Sequence, residues 1–188
     1  MKLVLATRNA HKTRELATLL HPHEIVPLPD DVQLPPEDGA TFVENALDKA
    51  RAAAAQTGLP AIGDDSGIRS AALGGAPGVR SARFAGEHAS DQQNLDKLLR
   101  EAPTGSALAY VCALAYCDPG GAEHVVEGRC TGRLAAQPRG DGGFGYDPAF
   151  LPDDIPDRRT MAELEPEQKD AISHRGRAAR ALHEFLNG

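Results

Sequence analysis

The sequence is poor in several features that define large classes of protein. It has no tryptophan, and aromatic residues make up 4% of its 188 residues, so few rings are available for stacking on nucleic-acid bases. Basic residues are also few, because 20 Lys and Arg stand against 27 Asp and Glu, for a formal net charge of −7. Binding to a nucleic-acid backbone needs clustered Lys and Arg. We therefore expect no nucleic-acid partner.

Cysteines and long apolar runs are scarce as well. Cys112, Cys117 and Cys130 are an odd number with no C-x-x-C pair, which argues against a disulfide framework or a zinc site and favours a reducing, cytoplasmic location. No segment approaches the roughly 18 apolar residues that cross a bilayer, and the apolar run over residues 3–6 is too short for a signal-peptide core. We expect no membrane partner and a single globular domain over residues 1–188.

Hydrophobic periodicity predicts strands that alternate with helices. The predicted strands cover residues 2–7, 24–28, 59–63, 108–117 and 123–127, with 129–135 continuing the sheet. The predicted helices cover residues 12–20, 41–56, 90–99, 160–164 and 173–187, and the glycine-rich segments 73–86 and 139–147 are predicted loops. This order of elements indicates a mixed-sheet α/β domain.

Acidic residues cluster where the strand at residues 59–63 is predicted to end. Asp64 and Asp65 begin a predicted turn, and two adjacent carboxylates need a positive partner. Mg²⁺ suits them because it prefers a few hard oxygen ligands. The alternative is an Asx-turn in which Gly67 supplies a positive φ. Glu37 lies in an acidic loop and is a further metal candidate, whereas the capping-box spacing with Thr41 accounts for Glu44.

The polar segment at residues 7–12 lies between a predicted strand and a predicted helix. Backbone N–H groups at a helix start attract phosphate, and Lys12 adds a positive charge. Thr7 and Asn9 supply further hydrogen bonds. Lys49, on the helix predicted over residues 41–56, is another candidate phosphate contact. The alternative is a solvated polar turn with exposed lysines.

Two C-terminal segments are candidates for recognising a flat ligand. The glycine-rich segment 140–148 allows close approach of the backbone, with Phe144 placed to stack on a base and Asp147 to accept from a base N–H. The alternative is a hairpin loop whose aromatic side chains fill the core. At the predicted start of the last helix, His174 and Arg175 are candidate donors to a carbonyl oxygen or a phosphate, or else part of a surface helix.

Together these segments resemble the inosine triphosphate pyrophosphatase family. The resemblance extends along nearly the whole chain. It rests on six segments in the same order, which are residues 6–12, 37–50, 63–67, 73–86, 142–150 and 169–178. It implies an elongated mixed β-sheet flanked by helices, with two lobes and a central cleft, and it implies a homodimer. It also implies Mg²⁺-dependent hydrolysis of non-standard purine nucleoside triphosphates (ITP, dITP and XTP) to the monophosphate and pyrophosphate.

The resemblance also assigns roles to individual residues. Asp65 would be the catalytic base, with Lys12 and Lys49 as catalytic cations, and the metal would be held by Asp65, Glu37 and Asp64. The implied substrate-binding residues are Thr7, Arg8, Asn9, Ala10, His11, Lys12, Ser66, Phe144, Gly145, Tyr146, Asp147, Lys169, His174 and Arg175.

Two positions depart from the family pattern. Arg8 stands where many members have Gly, and Arg80 replaces a frequent Tyr. Neither departure removes a predicted catalytic group. Two alternatives remain: a non-catalytic nucleotide-binding module, and a related pyrophosphatase that acts on other modified nucleotides.

Overall fold

A computed structural model describes residues 1–188 and contains one six-stranded mixed sheet. The strand order is β2-β1-β3-β4-β5-β6. The strands are β1 (Lys2–Ala6), β2 (Glu24–Pro27), β3 (Ala61–Ser70), β4 (Ala107–Cys117), β5 (Glu123–Leu134) and β6 (Phe150–Pro152). β1 pairs in parallel with β2 and β3, whereas β5 and β6 are antiparallel. The predicted α/β class with a mixed sheet is confirmed.

Five α-helices flank the sheet. They are α1 (Ala10–Leu19), α2 (Phe42–Thr57), α3 (Asp91–Glu101), α4 (Pro166–Ile172) and α5 (His174–Asn187). The capping box predicted for Thr41 and Glu44 is confirmed at the start of α2, and Ser90 and Gln93 form another at the start of α3. None of the helices combines the length and apolar character that a membrane crossing requires.

The chain forms two compact units. The first comprises Met1–Asp65, Cys112–Gly128 and Arg175–Gly188, and its buried apolar side chains include Leu5, Ile62 and Leu114. The second comprises Ser66–Val111 and Arg129–His174, and its buried apolar side chains include Ile68, Leu98 and Phe150.

The predicted acidic turn after residue 63 is wrong, because β3 continues through both aspartates to Ser70. Gly67 lies within the strand and is not among the residues with positive φ. Partners on neighbouring elements compensate the carboxylates, so the strand carries two acids in its buried stretch. Gly63, one residue earlier, lets α2 approach closely, since a Cβ there would lie 1.9 Å from the Ala46 carbonyl oxygen.

Several element boundaries also differ from the predictions. β5 is one continuous strand rather than two segments, and α4 and β6 were not predicted. α1 begins at Ala10 rather than at residue 12, because the Asn9 side chain caps it by accepting from the His11 and Lys12 N–H groups at 2.9 and 3.3 Å. A side-chain cap satisfies amides that the first turn leaves without helical partners.

Candidate active site

The two aspartates of β3 have different partners because successive side chains of a strand point to opposite faces. The first unit contains both of them, together with the side chains that contact them from α1, α2 and α5. Asp64 is fully buried, and Asp65 is 4% exposed. A buried carboxylate is costly unless it is paired and hydrogen-bonded. The partners therefore decide what each acid can do.

Asp64 is held by cationic groups. Its Oδ2 accepts from Arg175 Nε at 2.8 Å, and its Oδ1 accepts from Lys12 Nζ. Arg175 also donates through Nη1 to Glu15 Oε2 at 2.6 Å. Burial works to raise the pKa of Asp64, but Arg175 and Lys12 overcome it and hold the pKa well below its ordinary value. Asp64 is therefore an ionised anchor for two cations.

Asp65 has weaker electrostatic support. Its Oδ2 accepts from Asn45 Nδ2 at 2.9 Å, and its Oδ1 lies 3.7 Å from Lys49 Nζ. Burial raises the pKa of Asp65 and outweighs the opposing effects of Lys49 and Asn45. A carboxylate with a raised pKa is a better proton acceptor than an ordinary one.

Lys49 links the acidic loop before α2 to β3. Its Nζ donates to Glu37 Oε1 at 2.6 Å and to the Asp64 carbonyl oxygen at 2.6 Å. Burial works to lower the pKa of Lys49, but Asp65 and Glu37 raise it above its ordinary value. Lys49 is therefore a buried permanent cation beside two carboxylates.

The oxygen donors of this cluster are of the kind that a magnesium ion binds. Asp65 Oδ1 and Glu37 Oε1 lie 3.7 and 2.6 Å from Lys49 Nζ, so two candidate hard ligands flank the same ammonium group. Mg²⁺ is commonly bound through one or two carboxylates together with substrate phosphates. Both carboxylate oxygens of Asp64 already accept from Lys12 or Arg175. Metal binding by Asp64 stays a prediction, and the donor set favours Asp65 and Glu37.

The segment at residues 7–12 splits into groups with different surroundings. Lys12 reaches Asp64, whereas the Arg8 guanidinium donates to backbone carbonyl oxygens of the loop after β2, including Leu28 at 3.1 Å and Val32 at 3.0 Å. Arg8 thus ties that loop to the end of β1. The predicted contact of Arg8 with substrate stays a prediction. The same holds for the other residues of the segment 7–12.

The remaining side chains of this segment make local contacts. Thr7 Oγ1 accepts from the Asn9 N–H at 3.1 Å, and His11 Nδ1 lies 2.8 Å from Arg14 Nη2. Ala10 is the first residue of α1. These contacts fix the start of the helix that carries Lys12.

In the second unit, Asp147 organises an aromatic loop over residues 143–147. Its Oδ1 accepts from Tyr110 OH at 2.9 Å, and its Oδ2 accepts from Lys169 Nζ and from the Phe144 N–H, each at 3.0 Å. Lys169 Nζ lies 5.0 Å from the centroid of the Phe144 ring, within the range of a cation–π contact. Because both carboxylate oxygens are engaged, the geometry favours a supporting role for Asp147 over direct contact with a base.

Other side chains of the second unit complete this arrangement. His174 is 6% exposed and stacks on Tyr110, with ring centroids 4.6 Å apart and an interplanar angle of 8°. Tyr146 OH donates to the Ser81 carbonyl oxygen at 2.6 Å, and the Gly145 N–H donates to Asp91 Oδ2 at 3.0 Å. The loop is thereby fixed at several points.

The structure brings together some of the predicted site residues and separates others into the two units. Lys12, Glu37, Lys49, Asp64, Asp65 and Arg175 belong to the first unit, with the segment at residues 7–11. Ser66, Phe144, Gly145, Tyr146, Asp147, Lys169 and His174 belong to the second unit. Arg175, predicted beside His174 as a donor, is buried against Asp64 and Glu15, and its contact with a substrate stays a prediction.

Sequence reasoning missed Asn45, Glu15 and Tyr110, which contact predicted residues. Asn45 precedes Lys49 by four residues, and Glu15 follows Lys12 by three, so helical spacing places each pair on one face. That spacing is a signal that was available in the sequence. Tyr110 carries no such signal, because Asp147 lies 37 residues away along the chain.

Comparison with known proteins gives matches along nearly the whole chain. A family model described as the Ham1 family matches residues 3–185. The dITP/XTP pyrophosphatase of Cutibacterium acnes is 49% identical over 191 residues, covering 96% of this chain and 94% of that protein. The dITP/XTP pyrophosphatase of Geobacter sulfurreducens is 48% identical, covering 98% and 96%. The structure of a HAM1 protein from Coxiella burnetii superposes with a TM-score of 0.88 at 41% identity, covering 100% of this chain and 98% of that chain.

Proposed function

The chain belongs to the Ham1 family, and from that premise we propose that it hydrolyses non-standard purine nucleoside triphosphates (ITP, dITP and XTP) to the monophosphate and pyrophosphate. It is then a nucleoside-triphosphate pyrophosphatase, a hydrolase of the triphosphate anhydride that cleanses the nucleotide pool. The observation that carries the proposal is the pairing of Asp64 and Asp65 with Lys12 and Lys49 at one point of β3. Carboxylates can hold the metal ion that accompanies a triphosphate, and lysines can stabilise the negative charge of its phosphates.

The positions of these groups support the following reaction. A water molecule attacks the α-phosphorus, a new P–O bond forms, and the bond to the α–β bridging oxygen breaks. The proton of the water passes to Asp65, the buried carboxylate beside Lys49, and the bonding electron pair leaves with pyrophosphate. Lys49 places a positive charge beside Asp65 and Lys12 places one beside Asp64, and these charges stabilise the negative charge that develops on the leaving group. Asp65 and Glu37 would hold Mg²⁺, which when bound neutralises part of the triphosphate charge.

Recognition of the base is assigned to the second unit. Phe144 supplies a ring for stacking, and His174, fixed against Tyr110, supplies a donor to the carbonyl oxygen at position six of the purine. The same donor faces an amino group in adenine, and a buried unpaired donor costs roughly 1–3 kcal/mol. That difference corresponds to about one to two decades of discrimination per contact.

A substrate panel tests the proposal. Pyrophosphate release is measured with Mg²⁺ and equal concentrations of dITP, XTP, dATP, dGTP and dTTP. We expect dITP and XTP to be turned over faster than dATP, dGTP and dTTP, and the difference from dATP to exceed about tenfold, by the free energy of one buried hydrogen bond. Equal rates across the panel would remove the selectivity. Binding of these nucleotides without release of pyrophosphate would instead support a non-catalytic nucleotide-binding module.

A further inference from the structure

Asn45, on α2, has an amide group that contacts two parts of the candidate site at once. It is 2% exposed. Its Nδ2 donates to Asp65 Oδ2 at 2.9 Å, and its Oδ1 accepts from the Gly39 N–H at 2.8 Å. These partners fix the orientation of the amide, because a flipped amide would set oxygen against carboxylate and NH₂ against N–H.

Gly39 connects this amide to the acidic loop. Glu37 lies two residues before Gly39, and the loop then leads into α2 at Phe42. A Cβ at Gly39 would lie 2.6 Å from Asn45 Oδ1, closer than real Cβ contacts allow. The absence of a side chain at Gly39 is therefore a condition for the hydrogen bond that holds the loop.

We propose that Asn45 is a positioning residue for a bound divalent cation. Its amide group holds Asp65 directly, and through the hydrogen bond to Gly39 it also holds the loop that contains Glu37. One side chain therefore fixes the position of the Glu37 carboxylate relative to that of Asp65. The bond to Oδ2 leaves Asp65 Oδ1 on the side of Lys49 and Glu37. Partners that orient metal ligands in this way contribute strongly to metal affinity. The inference rests on the proposed function, because the cation is the one that accompanies the triphosphate.

The chain offers a closely matched control in Asn94, on α3. Asn94 is also 2% exposed and also bridges two groups. Its Oδ1 accepts from the Ala85 N–H at 2.7 Å, and its Nδ2 donates to the Ala82 carbonyl oxygen at 3.0 Å. Both partners are backbone groups outside the candidate site. Replacing either asparagine by leucine removes two buried hydrogen bonds and keeps the number and branching of the side-chain heavy atoms.

The experiment measures cation binding without turnover. Mn²⁺ is titrated into the wild-type protein and the variants Asn45→Leu, Gly39→Ala and Asn94→Leu, in the presence of a non-hydrolysable α,β-methylene analogue of dITP. Free Mn²⁺ is followed by electron paramagnetic resonance, and urea unfolding reports stability. We expect Asn45→Leu and Gly39→Ala to weaken Mn²⁺ binding by about tenfold or more. Asn94→Leu should lose stability but keep the wild-type affinity.

Two results would overturn the inference. One is wild-type affinity in both Asn45→Leu and Gly39→Ala, and the other is an equal loss of affinity in Asn94→Leu. Gly39→Ala carries the test if Asn45→Leu does not fold. Pyrophosphate release from dITP by the wild-type protein separates this inference from the proposed function, because an active wild type with unaffected variants contradicts the inference alone.

Discussion

At the scale of single residues, Asp64 and Asp65 show how neighbours in sequence acquire opposite properties. Both are buried on β3. Arg175 and Lys12 contact Asp64 and lower its pKa, whereas for Asp65 burial outweighs Lys49 and raises the pKa. Environments that push two pKa values apart indicate separate roles. Here they favour a structural anion and a proton acceptor.

Asp65→Asn should nearly abolish turnover. The variant keeps the size of the side chain and an oxygen that can accept from Asn45, but it cannot take a proton from water. General-base catalysis contributes about 10²–10⁴-fold, and we expect a loss of kcat in that range for dITP. Initial rates of pyrophosphate release measure it, and unfolding in urea checks that the fold is intact.

The matched control for this variant is Asp38→Asn, an exposed acid in the loop beside Glu37. It removes one negative charge near the cluster without touching Asp65, and its rate should stay near that of the wild type. Retained turnover in Asp65→Asn would transfer the base role to another group.

Asp64→Asn should lower stability in a pH-dependent way. Near neutral pH the change leaves Arg175 and Lys12 without their shared anion, and breaking a buried pair costs about 3–5 kcal/mol. The pKa of Asp64 is lower in the folded than in the unfolded state, so this stabilisation is present above about pH 4 and is lost as pH falls below that value. Urea unfolding of both proteins at pH 7, 5 and 3.5 measures the difference. A difference in unfolding free energy that stays constant across these pH values would contradict this account.

The acids and lysines of the site were recognisable in the sequence because each stands next to a predicted strand or helix end or within a specific motif. Their pairing was not recognisable. Lys12 and Asp64 are 52 residues apart, and Arg175 and Asp64 are 111 apart. Such contacts form only when the helices pack on the sheet. The sequence therefore identified the candidate residues but did not indicate that Asp64 pairs with Lys12 and Arg175.

At the scale of elements, the main difference from prediction lies in β3. Two adjacent acids before a glycine are typical of a turn, yet the strand continues to Ser70 because cations from α1, α2 and α5 compensate them. These cations lie on other elements, so the residues next to the two acids in the sequence do not indicate them. The short elements α4 and β6 were missed for a related reason, since their 7 and 3 residues give too little periodicity to detect.

The aromatic loop at residues 143–147 gives a prediction at this scale. Asp147→Asn replaces one carboxylate oxygen by a donor that faces Lys169 or Tyr110, and it removes the charge that pairs with Lys169. We expect kcat/KM to fall about tenfold for dITP and dATP alike, in line with one lost charge-assisted hydrogen bond. Steady-state rates on both substrates measure the ratio.

Asp141→Asn is the control, because Asp141 is an exposed acid in the same glycine-rich segment. Its kinetics should match those of the wild type. If Asp147→Asn instead changes the ratio of dITP to dATP without a common loss, then Asp147 contacts the base directly, as the sequence alone suggested.

At the scale of the whole molecule, the sequence resemblance already implied the family and the class of fold. The matches at 48–49% identity over almost the full chain and the TM-score of 0.88 establish both. The homodimer that the resemblance implies stays a prediction. Light scattering on the purified protein at micromolar concentration should give twice the 19.9 kDa mass of one chain, and a mass of one chain would contradict it.

The position of bond cleavage tests the central claim most directly. The wild-type protein is incubated with dITP and Mg²⁺ in ¹⁸O-labelled water, and both products are analysed by mass spectrometry. Attack on the α-phosphorus predicts one ¹⁸O atom in deoxyinosine monophosphate and none in pyrophosphate. Label in pyrophosphate, or release of orthophosphate with the diphosphate, would contradict the account.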